Sequence, residues 1–330
     1  MSITIGIVMD PIESISAYKD TTLAMMLAAS ARGWTINCIE QKDMFLDQGR
    51  SYAKRRTVQV FDDNDHWFEA EEPADAPLAE NDIVLMRKDP PFDMDFIYST
   101  HILEHAASEG VYVSNNPASL RDVNEKLSTT WFSEFCPPTL VTASSARLKD
   151  FIQEHGDAII KPLDGMGGAG IFRLTPDDAN INIILEHSTL DDTRQIMAQR
   201  YVPEIRDGDK RILVVNGKAM PFALARIPAQ GETRGNLAAG GRGVAVPITD
   251  QERRIVDAVS PFLLEKELLF VGMDVIGNYL TEINVTSPTC VRELDAHANS
   301  LADALPANAD GYRCGIADIY LNALEQVIAR

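Results

Sequence analysis

Residues 161–172 read KPLDGMGGAGIF, and the segments flanking these glycines constrain the fold more than the glycines do. Gly165, Gly167 and Gly170 give the spacing G-x-G-x-x-G, which dinucleotide-binding turns and protein-kinase phosphate loops share. A dinucleotide turn must open a helix whose N-terminus meets the pyrophosphate. Here Ile171 to Leu174 is β-branched and aromatic and stops before Pro176, while AIIKPL precedes the glycines as an apolar strand. The pattern predicts strand–loop–strand, a flap. A Walker A Gly-Lys-Ser/Thr is absent, as are the H-R-D and D-F-G of kinases. A ligand-free glycine hairpin is the plain alternative. Lys161, ending the first strand, favours a phosphate site, because backbone N–H groups beside glycine approach phosphate oxygens closely.

The chain around this flap has 330 residues, enough for two or three domains. Its 30 Lys and Arg against 49 Asp and Glu leave a net charge of −19. Such a chain repels nucleic acid and anionic membranes, so small-molecule partners are expected, with no nucleic acid and no membrane. The four cysteines form no C-x-x-C pair, the start MSITIGIVMD lacks a secretory pattern, and no run of 18 apolar residues occurs. The expectation is a reduced, cytoplasmic protein.

Alternating strand and helix signals fill the first third. ITIGIVM (3–9), TINCI (35–39), DIVLM (82–86) and 111–114 read as strands. Asp20 caps a helix ending near Gly33, and a second helix covers about 95–109. Together they predict an open parallel sheet over residues 1 to about 122. The rhythm changes after residue 155: strand, flap, strand, helix 179–187, strand 195–202, and a hairpin over 211–226 turning at Asn216-Gly217. Residues 228–243, PAQGETRGNLAAGGRG, hold five glycines and predict a long mobile loop. Helix 250–266 and a second hairpin, LFVGMDVIGNYLTEINV, follow before the chain ends in helices.

That second hairpin carries Asp274, Glu282 and Asn284, hard oxygen donors of the kind Mg²⁺ takes. Glu282 and Asn284 share a strand face. A two-residue turn at Gly277-Asn278 would pair Asp274 with Thr281, whereas a three-residue loop would pair it with Glu282. A metal site therefore predicts the odd-length connection; solvated hairpin charges are the alternative. Arg211, Arg226, Arg234 and Arg242 cluster on the first hairpin and the glycine-rich loop. In so acidic a chain they suggest anionic substrates, since guanidinium suits carboxylate and phosphate, although pairing with Asp207, Asp209 or Glu232 would also account for them. His101, Glu104 and His105 match a zinc-protease pattern, but helical i,i+4 spacing alone produces it and no third ligand stands out. No G-x-S-x-G or Cys/His arrangement supports nucleophilic catalysis.

The stretches GIVMDP (6–11), LMRKDPPFD (85–93), NEKL (124–127), IIKPLDGMGGAGIFR (159–173), DGDKRILVV (207–215), ARIPAQGETRGNLAAGGRG (225–243) and VGMDVIG…LTEINVTSPT (271–289) together resemble the ATP-grasp superfamily, and within it the prokaryotic glutathione synthetase family. The resemblance implies an α/β ATP-grasp fold. An N-terminal parallel-sheet, Rossmann-like domain (1–122) would precede a lid subdomain (123–202) and a catalytic subdomain (203–330), the last two clasping ATP. It implies nucleotide contacts from Lys126, Lys161, Gly165, Gly167, Gly168, Gln199, Arg200, Tyr201, Val202 and Asp209. Asp274, Glu282 and Asn284 would hold two Mg²⁺, with Mn²⁺ as a substitute. Arg211 and Arg226 would face the transferring phosphoryl group and the acyl carboxylate, and Arg234 and Asn236 would belong to a shielding loop. Arg87 is a weaker transfer, toward the peptide substrate. The implied reaction joins γ-glutamylcysteine and glycine at the expense of ATP through an acyl phosphate, in a homo-oligomer, a tetramer by family resemblance. Another carboxylate–amine ligase of the superfamily, acting on a different amino acid or peptide, is the alternative. Residues 297–315 match no motif.

Overall fold

The computed structural model describes residues 2–229, 240–300 and 315–329. Three sheets carry the architecture. The first contains β1 (Thr4–Met9), β2 (Thr35–Asp47), β3 (Arg50–Val60), β4 (Phe68–Ala70), β5 (Ala74–Pro77), β6 (Ile83–Met86) and β7 (Tyr112–Ser114). Its order is β4-β3-β2-β1-β6-β7, with β5 also on β3. β2, β1, β6 and β7 run parallel, as the alternating pattern predicts. The strands from β3 to β5 add an antiparallel extension that the sequence reading lacked. In β3 only alternate residues such as Ser51, Ala53, Val58 and Val60 are buried, among Lys54, Arg55 and Arg56, so the apolar signal is weak.

Helices α1 (Thr21–Ala31) and α2 (Met94–Ser108) connect these strands, and α3 (Pro117–Asp122) follows β7. Asp20 caps α1 by accepting from Leu23 N at 2.6 Å, and Asp93 caps α2 in the same way.

The second sheet, ordered β10-β9-β11-β8, is formed by β8 (Thr139–Thr142), β9 (Ala158–Pro162), β10 (Phe172–Leu174) and β11 (Ile196–Arg200). Helices α4 (Ser145–His155) and α5 (Ile181–Thr189) cover it, and Leu148, Ile152, Ile160, Leu185 and Ile196 give it a small core of its own. β9 and β10 pair antiparallel on either side of the glycines, so the flap expected at 164–170 is present, with its loop spanning 163–171.

The third sheet, ordered β14-β13-β12-β15-β16, joins β12 (Asp209–Val215), β13 (Lys218–Ile227), β14 (Arg242–Pro247), β15 (Phe270–Ile276) and β16 (Tyr279–Asn284). Asn216 and Gly217 both take positive φ, 48° and 72°, as a two-residue hairpin turn between right-twisted strands requires. β14 corrects the loop boundary: Arg242 and Gly243, expected in the mobile loop, pair with Ile227 and Arg226. The alternating GVAVP that follows supplies an edge strand there. Arg234 and Asn236 lie outside the described residues, as does most of segment 297–315.

Helix α6 (Asp250–Glu265) opens with a reciprocal capping box between Thr249 and Glu252. Helices α7 (Val291–Ser300) and α8 (Ile316–Ile328) bring Val291, Leu294, Tyr320 and Leu324 into one core with Ile5, Leu23, Leu213 and Phe222. Asn115 adds a polar rivet there: its amide donates to Phe270 O and Val285 O and accepts from Phe270 N. Among the described residues, no helix is long and apolar enough to cross a membrane.

Candidate active site

A cleft of about 420 Å³ lies between the second and third sheets, beneath the flap. The described residues that the sequence marked for nucleotide and metal line it, as do Arg211 and Arg226, whereas Arg87 and Arg242 do not. Three physical groups make up its walls.

The flap forms the roof. Gly167, Gly168 and Gly170 take φ of 64°, 80° and 71°, a backbone that side chains with a Cβ rarely adopt. Lys126 Nζ donates to Gly165 O at 2.6 Å and also lies 3.1 Å from Glu282 Oε1. One lysine thus joins the roof to the hairpin opposite. Lys161, 6 % exposed, donates to Thr281 O at 3.3 Å. Burial pushes its pKa down, Glu282 pulls it up, and the neighbouring Lys126 pushes it down again.

The rear wall is the end of β11. Gln199 Nε2 donates to Thr139 Oγ1, and Tyr201 N donates to Asp157 O, so these two donors are committed within the protein. The Tyr201 ring carries the Arg173 guanidinium 3.8 Å from its centroid, and Arg173 is itself held by Asp157. Arg200 Nη2 reaches Tyr279 OH at 3.0 Å, and Val202 lines the same wall.

The floor is charged. Asp274 is 3 % exposed and Arg211 7 %. Both Asp274 oxygens accept from Arg211, through Nε and through Nη2, the latter at 2.8 Å. Arg226 Nη2 adds a contact to Asp274 Oδ2 at 2.8 Å and another to Asp209 Oδ2 at 2.5 Å. Burial works against the Asp274 charge, but Arg211 and Arg226 outweigh it and hold the carboxyl well below the usual range. Asp209 goes the other way: burial, offset by Arg226 and reinforced by Asp274, pushes it up to about 6. Its Oδ1 is buried with no hydrogen-bond partner, an acceptor left for a ligand.

The register of the second hairpin differs from both alternatives in the sequence reading. The turn is two residues, since Ile276 pairs with Tyr279, yet Asp274 pairs with Glu282. A bulge at Thr281 reconciles them. The extra residue restores the shared face, its Oγ1 donates to Asp274 O, and its carbonyl is the one Lys161 reaches. Asn284 Nδ2 donates to Gly272 O at 3.0 Å, which leaves its Oδ1 as the free donor atom toward the cleft. Two carboxylates and an amide oxygen on one face fit a hard divalent cation that keeps waters or phosphate oxygens in its remaining positions. No cluster of three His, Cys, Asp or Glu side chains suited to a metal exists among the described residues.

Two assignments shift. Arg87 does not line the cleft; it is buried, donates to Thr22 Oγ1 and Pro288 O, and lies 5.5 Å from the Phe270 ring centroid. It supports the segment 286–289 from behind. Glu125 was not singled out, yet it lines the cleft and binds the same segment. Its only sequence signal is its place before Lys126 in NEKL. In the H-x-x-E-H stretch, Glu104 pairs with Arg121 as well as lying near His101.

A nucleotide-sized cleft between two α+β sheets, with a glycine flap above and an acidic hairpin below, defines an ATP-grasp enzyme. Solved structures share the fold across the whole chain. A D-cycloserine synthetase superposes with a TM-score of 0.66 at 13% identity, covering 98% of this chain and 99% of its own. An ATP-grasp ligase in complex with a minimal precursor, Mg and ADP gives 0.60 at 15% identity, covering 99% and 98%.

Closer relatives narrow the class. The family "Prokaryotic glutathione synthetase, N-terminal domain" matches residues 3–121, and "Prokaryotic glutathione synthetase, ATP-grasp domain" matches 125–299. Glutathione synthetase of Pseudomonas putida is 57% identical over 300 residues, 91% of this chain and 95% of that protein. The Vibrio vulnificus glutathione synthetase is 55% identical over 296 residues, 90% and 93% of the two chains. The chain belongs to the prokaryotic glutathione synthetase family.

Proposed function

We propose the following division of labour in the cleft. The chain is an ATP-dependent ligase that forms glutathione, joining γ-glutamylcysteine to glycine with release of ADP and phosphate. A carboxylate resists amine attack because its leaving group would be an oxide. Transfer of the γ-phosphoryl group to the cysteinyl carboxylate gives an acyl phosphate, and phosphate then leaves as the glycine nitrogen adds.

Lys126 and Lys161 bind the nucleotide phosphates, and the backbone of Gly165, Gly167 and Gly168 closes over them. Gln199 to Val202 lie along the base, and Asp209 Oδ1 accepts from the ribose or from an incoming amine. Asp274, Glu282 and Asn284 hold Mg²⁺, two ions in the full reading, with Mn²⁺ as a substitute. The metal, when bound, neutralises phosphate charge. Arg211 and Arg226 stabilise the charge on the phosphoryl group in flight and orient the acceptor carboxylate. Arg234 and Asn236 complete the set on the segment after β13. We keep the division at 1–122, 123–202 and 203–330, which separates the three sheets. A cytoplasmic homo-oligomer, tetrameric as the family resemblance implies, completes the reading.

The observation that carries this reading is that the proposed cations and the proposed metal donors meet in one cleft, Lys126 with Glu282 and Arg226 with Asp274. Thermal unfolding with ADP and Mg²⁺ tests it. Together they raise Tm beyond either alone, because a ligand bound only by the folded state adds stability by mass action. No shift at saturating nucleotide and metal would count against the site.

A further inference from the structure

One residue of this cleft carries no role in the scheme above. Glu125 precedes Lys126 and contacts the strand bearing Glu282 and Asn284 with both its main chain and its side chain. Its carbonyl accepts from Ile283 N at 2.9 Å. Its Oε1 accepts from Val285 N at 2.8 Å, from Thr286 N at 3.1 Å and from Thr286 Oγ1 at 3.0 Å. Four hydrogen bonds from one residue thus bracket Asn284 on both sides. Val285 is fully buried and Thr286 nearly so, so without Glu125 these donors would be left in the protein interior without water.

Asn115 Nδ2 also binds Val285 O here, but the N–H groups of Ile283, Val285 and Thr286 all go to Glu125. β16 is the edge strand of its sheet, paired with β15 alone, and Asn284 is its last residue. An edge strand ending at a candidate metal ligand needs an outside anchor if that ligand is to hold its position to a fraction of an ångström. Glu125 supplies the anchor, and the next residue, Lys126, reaches both Glu282 and the flap. The dipeptide therefore relates the metal donors to the phosphate cations.

We infer that Glu125 is a positioning residue: by gripping the backbone of 283–286 it sets Asn284 and Glu282 for the divalent cation and registers them with Lys126. The inference rests on the metal reading of Asp274, Glu282 and Asn284. Glu125 acts through hydrogen-bond acceptance at Oε1, not as a ligand. Burial and the nearby Glu282 raise its pKa, while the hydrogen bonds from Thr286 and Val285 work the other way.

Mn²⁺ titration followed by electron paramagnetic resonance, on the full-length protein with saturating ADP, tests this in wild type, Glu125→Ala and Glu125→Gln. Lost outer-shell partners cost about 10- to 100-fold in metal affinity, so Glu125→Ala should weaken Mn²⁺ binding by that amount. Glutamine keeps an acceptor oxygen in the same place, so Glu125→Gln should stay within about threefold of wild type by the same scale. Unchanged Mn²⁺ affinity in Glu125→Ala would overturn the inference. So would a Glu125→Gln variant that folds and yet is as weak as alanine, because the carboxylate would then act through charge. If the wild-type ADP complex itself takes up no Mn²⁺, the metal reading fails and the inference fails with it. Should alanine not fold, a folded Glu125→Gln variant weakened about tenfold or more overturns the inference, and one within about threefold of wild type supports it.

Discussion

Arg226 Nη2 lies 2.8 Å from Asp274 Oδ2, inside the protein and between two carboxylates. With Arg211 on the same carboxylate, both oxygens of Asp274 are occupied by guanidinium. Lys126 stands in the same relation to Glu282. The cations proposed to bind phosphate therefore pair with the carboxylates proposed to hold the metal. Divalent cation and nucleotide should enter as partners, the phosphates drawing the cations away as the metal takes the carboxylates.

Arg226→Gln accordingly has two opposite effects. Without nucleotide it should bind Mn²⁺ about tenfold more tightly than wild type, since a unit charge within a few ångströms of the site is removed. Its turnover should fall about 10²-fold or more, as expected when charge stabilisation of the transition state is lost. Mn²⁺ titration and steady-state kinetics read the two effects separately. Unchanged nucleotide-free affinity would show that Arg226 does not compete for Asp274.

Gly272 offers a steric test of Arg211. A Cβ at this position would stand 2.8 Å from Arg211 Cδ and 2.9 Å from Pro288 Cβ. Gly272→Ala should displace the Arg211 side chain, lower stability by about 1–3 kcal/mol as overpacking does, and reduce kcat more than the KM for ATP. Differential scanning calorimetry and kinetics on the purified variant measure both. Wild-type turnover would show that the position of Arg211 is immaterial.

Acid stability isolates Asp295, whose carboxylate accepts from Ile316 N at the start of α8. Burial pushes its pKa up to about 6, against the benefit of that hydrogen bond. The folded state then binds its proton more tightly than the unfolded chain does. This group's contribution to stability therefore grows as pH falls from about 6 toward the ordinary carboxylate value, and diminishes as pH rises through that window. Asp295→Asn keeps an acceptor and removes the titration. Chemical denaturation across pH 4–6 should show a stability difference, variant minus wild type, that rises with pH, and a flat difference would contradict the assignment.

Much of this molecule was legible in its sequence, and the reasons differ by element. Asp20 and Asn216-Gly217 announced a helix start and a tight turn through local chemistry that tertiary packing did not override. The flap was legible because the residues after its glycines are strand formers. The hairpin of Asp274 and Glu282 was legible in chemistry but not in register. Counting residues left a two-residue turn and a three-residue loop open, with a metal site requiring the odd-length connection, whereas the chain closes a two-residue turn and inserts Thr281 as a bulge. A bulge leaves no compositional trace, since its value lies in a carbonyl turned toward Lys161, more than a hundred residues away. Glu125 was hidden for a similar reason. Its partners are mainly backbone groups at 283–286, with the Thr286 hydroxyl, and no side-chain pattern records them. Arg87 was a weaker transfer from the family resemblance, and the sequence around it does not distinguish a cation lining a cleft from one packed behind it.

Product stoichiometry tests the central claim most directly. The protein is incubated with ATP, Mg²⁺ and γ-glutamylcysteine, with and without glycine, and ADP, phosphate and glutathione are quantified. Equal amounts of the three products, with phosphate release small until glycine is added, are the predicted result. Steady phosphate release unaffected by glycine, or no glutathione with all substrates present, would contradict the account.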